Sequence, residues 1–109
     1  MPVIFPGFSW HNLHEGKTPI NPAPRRCGVF YRDQADNAIC LGATMLYTAM
    51  FDEADEGTAI FKLADNPSQI PIGATLLIPD AESCRSKSDW YLQIAGQITN
   101  ELRRSVAGK

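Results

Sequence analysis

Two stretches of this chain repeat their apolar residues at helical spacing, and between them lie short apolar runs bounded by proline, glycine and acid. The C-terminal stretch is the better defined. Trp90, Tyr91, Ile94, Ala95, Ile98 and Leu102 fall on one face while Gln93, Gln97, Asn100, Glu101 and Arg104 fall on the other, which predicts a helix over 86–104. Ser86, with Asp89 three positions on, suits its N-terminal cap, and Trp90 with Tyr91 reads as core. The earlier stretch puts Phe30, Gln34, Ala35, Ala38 and Ile39 on one face and predicts a helix over 29–41, stopped by Gly42. Residues 43–51 are apolar without alternation and read as a strand covered on both faces. Thr75-Leu76-Leu77-Ile78, closed by Pro79-Asp80, reads as another strand, and Ala59-Ile60-Phe61 as a strand or single turn that packs the preceding loop down.

Before the first helix, five of the eight prolines fall within residues 1–24, so after the apolar opening Val3-Ile4-Phe5 residues 6–28 are expected to form a long loop. The order is strand, loop, helix, strand, loop, strand, helix. Connection rules turn that order into two to three parallel strands with crossover helices, an α/β architecture. Such a unit leaves its sheet edges unpaired, so it reads as part of a larger fold, or as one that borrows a homo-oligomeric or other partner.

Length bears on the fold, because 109 residues make at most one domain and cannot hold a complete (β/α)8 barrel of roughly 250 residues. The net charge of −2, with both signs scattered, gives no basic surface for nucleic acid, and Arg103-Arg104 reads as a solvated helix end. No run reaches about 18 apolar residues, so no membrane span is expected. Met1-Pro2-Val3-Ile4-Phe5-Pro6 lacks the charged start of a signal peptide, so a soluble chain is expected. The compartment stays open, since an export signal of a full-length relative would lie before Met1. Cys27, Cys40 and Cys84 are odd in number and show neither a CxxC nor a Cys/His ligand spacing, so free, mostly packed thiols are expected rather than a disulfide or a zinc site.

The chemistry concentrates at residues 52–58. Asp52, Glu53, Asp55 and Glu56 follow the apolar run directly and precede Gly57-Thr58, so an acidic loop is set at a strand end. Two carboxyls in unlike environments can divide into a proton donor and a proton acceptor, as glycoside hydrolysis requires, and clustering raises their affinity for protons. A solvated acidic turn or a weak cation site is the alternative, and the spacing excludes an EF-hand. Trp10-His11-Asn12 is a second candidate, because an indole stacks on a sugar face and His11 or Asn12 can hydrogen-bond hydroxyls. Equally, Phe8 and Trp10 can simply cover the end of the fold. His11 and His14 lack a third ligand for a metal, and Arg25-Arg26 either anchor an acid of the loop or stay solvated.

AMFDEADEGTAIF, residues 49–61, resembles the signature of glycoside hydrolase families 71 and 99 and of related xylosidase/arabinosidase-like proteins, in which a buried strand leads to Glu-x-x-Glu-Gly-Thr. Glu53, Glu56, Gly57 and Thr58 match that pattern position by position. FPGFSWHNLH at residues 5–14, the Pro24-Arg25, Gly28, Phe30, Gln34, Asn37-Ala38 and Leu41-Gly42-Ala43 positions, and Ser88-Asp89-Trp90-Tyr91-Leu92 are similar to neighbouring segments of the same proteins. The resemblance implies the C-terminal part of a (β/α)8 TIM-type barrel, incomplete as a stand-alone barrel, with residues 1–109 forming a single partial segment. It implies a carbohydrate substrate, no metal and no organic cofactor. Glu56 would be the general acid/base at the glycosidic oxygen and Glu53 would act on or position the sugar 2-hydroxyl, which serves as internal nucleophile in the mannosidase members. Trp10, His11, Asn12, Asp52 and Asp55 would line the substrate. A complete site draws on several strand ends, so the isolated chain is expected to be inactive, with a non-catalytic carbohydrate-binding or structural remnant as the alternative. Cys27 departs from the pattern where a second glycine is usual, as do Arg32, Asp33 and Asp36. A charge at Asp36 would cost several kcal/mol if buried unpaired.

Overall fold

The computed structural model describes residues 1–109. Its elements in chain order are β1 (Val3–Ile4), α1 (Val29–Cys40), β2 (Tyr47–Thr48) and α2 (Trp90–Ala107). The two strands pair in parallel, Val3 opposite Tyr47 and Ile4 opposite Thr48, with α1 in the crossover between them. Tyr47 N–H to Pro2 O (3.0 Å) and Ala49 N–H to Ile4 O (2.9 Å) extend the ladder at either end.

α1 buries Tyr31 and Ala35, one turn apart on its inner face, and the Tyr31 hydroxyl reaches Thr48 Oγ1 on β2 at 2.8 Å. It stops where the chain turns left-handed at Gly42 (φ +90°), and Gly42 N–H and Ala43 N–H close back on Ile39 O and Ala38 O, both at 3.0 Å. That pairing satisfies carbonyls a helix end otherwise leaves orphaned. α2 packs on α1 and buries Tyr91, Ile94 and Ile98, so the core is Ile4, Tyr31, Ala35, Ile60, Tyr91, Ile94 and Ile98. At the helix–helix rim Arg32 binds both Asp36 (3.1 Å) and Glu101. Asp36 therefore lies exposed and paired, which removes the cost attached to a buried charge there.

Several expectations need correction. The strand expected over 43–51 is reduced to Tyr47–Thr48, because β1 offers only two residues to pair with. It is not covered on both faces: Leu46 packs on the core, whereas Met45 and Tyr47 stand 56% and 45% exposed on the opposite side. Thr75–Ile78 has no ladder partner and is not a strand; Leu77, Ile78 and Pro79 are buried without one. Ala59-Ile60 is buried and holds the acidic loop down, with Ile60 N–H and Phe61 N–H both donating to Phe51 O. The C-terminal helix begins at Trp90 rather than 86, since the Ser88 N–H is taken by Asp65 Oδ1 (2.7 Å), and Asp89 makes no side-chain cap.

The cysteine expectation is overturned. Cys27 and Cys84 form a disulfide across 57 residues, and Cys40, the remaining free thiol, is exposed rather than packed. Sequence spacing carries no information on a pair brought together only by the tertiary fold. No helix is long and apolar enough to cross a membrane.

Candidate active site

Phe5 and Ala49 are the residues next after the two strands, so both strands deliver their C-terminal ends to one place. A hollow of about 250 Å³ opens there, lined by Phe5, Phe8, Ala49, Met50, Glu56 and Thr58. The acidic loop forms one wall because it closes on itself. Met50 N–H donates to Thr58 O (3.3 Å), Thr58 N–H to Glu53 O (3.2 Å) and Gly57 N–H to Ala54 O (3.1 Å). Gly57 sits at φ +67°, a turn that favours glycine.

Three successive carbonyls of this loop are held from outside it. Asp55 O accepts from Asn12 Nδ2 (3.0 Å), Glu56 O from Ser9 N–H (2.7 Å), and Gly57 O from the buried Arg25 guanidinium. The loop is thereby stapled to residues 9–12 and to the start of the α1 region, which fixes the backbone that carries both glutamates.

Glu56 lines the hollow, and Glu53 stands near enough to act on its carboxyl. Partial burial holds the Glu56 proton affinity above that of an ordinary carboxyl, and the Glu53 hydrogen bond, the Glu53 charge and the Asp55 charge raise it further. The pair thus has one member whose affinity for a proton is raised, set at a largely apolar wall near a second carboxyl, the kind of asymmetry a proton donor and acceptor need.

The other sequence candidates are distributed around this pair. Asp52 and Asp55 are exposed and do not line the hollow. Trp10, half exposed, packs its edge on Phe8 (5.0 Å between ring centres), which does line it. Asn12 gives its side-chain N–H groups to Asp55 O and, at 2.8 Å, to Thr75 O, so its amide nitrogen ties loop to loop. His11 Nδ1 meets Thr18 O at 2.6 Å and His14 Nδ1 meets Trp10 O at 3.1 Å, so each imidazole is turned to its own neighbourhood. No three His, Cys, Asp or Glu side chains converge closely enough to hold a metal ion. Sequence reasoning missed Phe5, Phe8, Met50 and Thr58 as lining residues. The available signal was position, since Phe5 stands to β1 as Ala49 stands to β2.

No protein-family model matches the chain, and no curated protein matches it in sequence. Among solved structures it is similar to the GH99 endo-α-mannosidase from Bacteriodes thetaiotaomicron, determined in complex with BIS-TRIS-propane. The TM-score is 0.76 at 21% sequence identity, over 98% of this chain and 31% of that one. The chain therefore spans about a third of the length of the enzyme it matches. That enzyme is a mannosidase, so the narrower xylosidase/arabinosidase-like label finds no support. In fold the chain is a partial GH99-like segment, a small α/β piece of two parallel strands and two helices that covers part of such a glycoside hydrolase.

Proposed function

We propose that the chain supplies the acid/base pair for hydrolysis of glycosidic bonds in a glycan, with Glu56 as proton donor and Glu53 as its partner. Glu56 gives its proton to the glycosidic oxygen as the bond to the anomeric carbon breaks, and the leaving sugar departs as an alcohol. Glu53 orients the 2-hydroxyl and accepts its proton as the 2-oxygen attacks the anomeric carbon. Water then attacks the anomeric carbon of the resulting 1,2-anhydro sugar and gives a proton to Glu56, while the C1–O2 bond breaks and the 2-oxygen takes its proton back from Glu53. The observation that carries the reading is the hollow at the C-terminal ends of both strands with Glu56 in its wall beside Glu53. The likeness to an endo-α-mannosidase favours a mannose-containing glycan over xylan or arabinan. Two strand ends form one side of a cleft, so turnover requires further strand ends from the same polypeptide or from a partner.

A second reading, a non-catalytic carbohydrate-binding or structural unit, is favoured by the small number of strand ends that contribute to the hollow. Hydrolysis of mannan-type, xylan and arabinan oligosaccharides, by the chain expressed with its native flanking reading frame, separates the two. Glu53→Gln and Glu56→Gln should each lose about a hundredfold or more in rate. Rates equal to wild type in both would remove the catalytic reading. Should no form hydrolyse any of the three, perturbation of the Phe5, Phe8 and Met50 resonances by mannose oligosaccharides decides for binding.

A further inference from the structure

We propose that Arg25 is the positioning residue of the acidic loop, fixing the Gly57 carbonyl and with it the backbone from which Glu56 projects. The assignment rests on the role of Glu56 given above. Arg25 is 1% exposed, and its Cζ lies 5.5 Å from the centre of the Tyr91 ring. One nitrogen, Nη2, donates to Gly57 O, while the buried Nε and Nη1 have no protein partner. Burying a guanidinium costs several kcal/mol, and a single hydrogen bond from a charged donor returns about 1.5–3 kcal/mol. A residue whose task was only to fill the core would be apolar here, and the one hydrogen bond the guanidinium donates goes to the loop carbonyl.

The surroundings are shaped for that side chain. A Cβ on Gly7 would stand 2.8 Å from Arg25 Nε, and one on Gly57 would stand 2.9 Å from Nη2, so glycine at both positions leaves room for the guanidinium. The base of the side chain is held as firmly as its tip. Arg25 N–H and Arg26 N–H donate to the two oxygens of Glu82 at 2.9 and 3.4 Å, the next residue forms the disulfide to Cys84, and Cys27 O accepts from Trp90 Nε1 on α2 at 2.9 Å. A lever anchored on α2 and on the turn at Ala81–Ser83 thus ends on the loop carbonyl next after that of Glu56. Of the three staples on carbonyls 55, 56 and 57, this one alone is charged and buried in the core.

The charged groups that face Glu56 are Glu53 and Asp55, and Arg25 reaches it only through the backbone. The test follows the Glu56 carboxyl directly, by NMR titration of glutamate-labelled chain, and needs no turnover. In Arg25→Met the loop loosens, and the Glu56 midpoint should fall toward that of an ordinary glutamate. Amide protection in α2 should persist. Arg25→Lys, which keeps a charge and a donor, should recover most of the lost shift. A folded Arg25→Met with an unchanged Glu56 midpoint overturns the proposal. If that variant fails to fold, the wild type decides: Arg25 guanidinium protons exchanging about tenfold or more slower than those of exposed Arg26 support it, and equal rates overturn it. Because the readout is a proton on Glu56, failure here is distinguishable from failure of the hydrolase reading, which shows only in turnover.

Discussion

Gly57 carries two demands at once, a left-handed turn and clearance for the Arg25 guanidinium. Gly57→Ala should therefore cost about 1–2 kcal/mol from the backbone alone, and more from the crowding with Arg25 and Leu77, read as a lower urea midpoint. Glu56 makes a second prediction. Its folded-state proton affinity lies above the ordinary value of 4.5, so the folded state binds the extra proton and gains stability below that pH; the gain is lost as pH rises through the folded value. Glu56→Gln should flatten this dependence, leaving the variant at neutral pH no less stable than wild type by thermal melting. At this scale the sequence exposed the glutamates, because four acids after an apolar run stand out by chemical type. It could not expose what Asn12 and Arg25 do. Their acceptors are main-chain carbonyls 43, 63 and 32 residues away, and a carbonyl leaves no mark in a sequence.

Both helices were legible as elements, but only α2 buries the stripe its 3.6-residue spacing marked; α1 turns Tyr31 and Ala35 inward, so of the face read from its sequence Ala35 alone is fully buried while Phe30, Gln34, Ala38 and Ile39 are half-buried. The strands were not. Apolar character over 43–51 reports proximity to the core, but pairing needs a second strand of matching length, and only Val3–Ile4 provides it. The start of α2 lies later than its sequence suggests because the Ser88 amide ahead of it is recruited by Asp65, a long-range choice that local capping rules do not contain. The disulfide is an element-scale feature with a definite energetic weight. Closing 57 residues by one bond stabilises by about 2–4 kcal/mol, so reduction or a Cys27→Ser, Cys84→Ser double change should lower the unfolding free energy by that amount in urea titrations with and without dithiothreitol. The same treatment should leave Cys40, already free and exposed, chemically unchanged.

The whole molecule is long for its size, 50 × 26 × 20 Å with a radius of gyration of 14.6 Å against about 13 Å for a compact chain of this length. One sheet face rests on the helices, while Val3, Met45 and Tyr47 remain exposed. Stability is accordingly uneven. Residues 62–88 bury only Leu77, Ile78 and Pro79, whereas α1 and α2 share the core. Hydrogen exchange should find the slowest amides around Tyr31, Ala35, Ile94 and Ile98 and fast exchange through 62–75. Protease cleavage should fall in that same fast segment, which lies between the two bridged cysteines. A polypeptide nicked there is in two pieces by backbone yet one by covalent bonds: it migrates as a single species on a gel without reductant and separates into two only once the sulfurs are reduced.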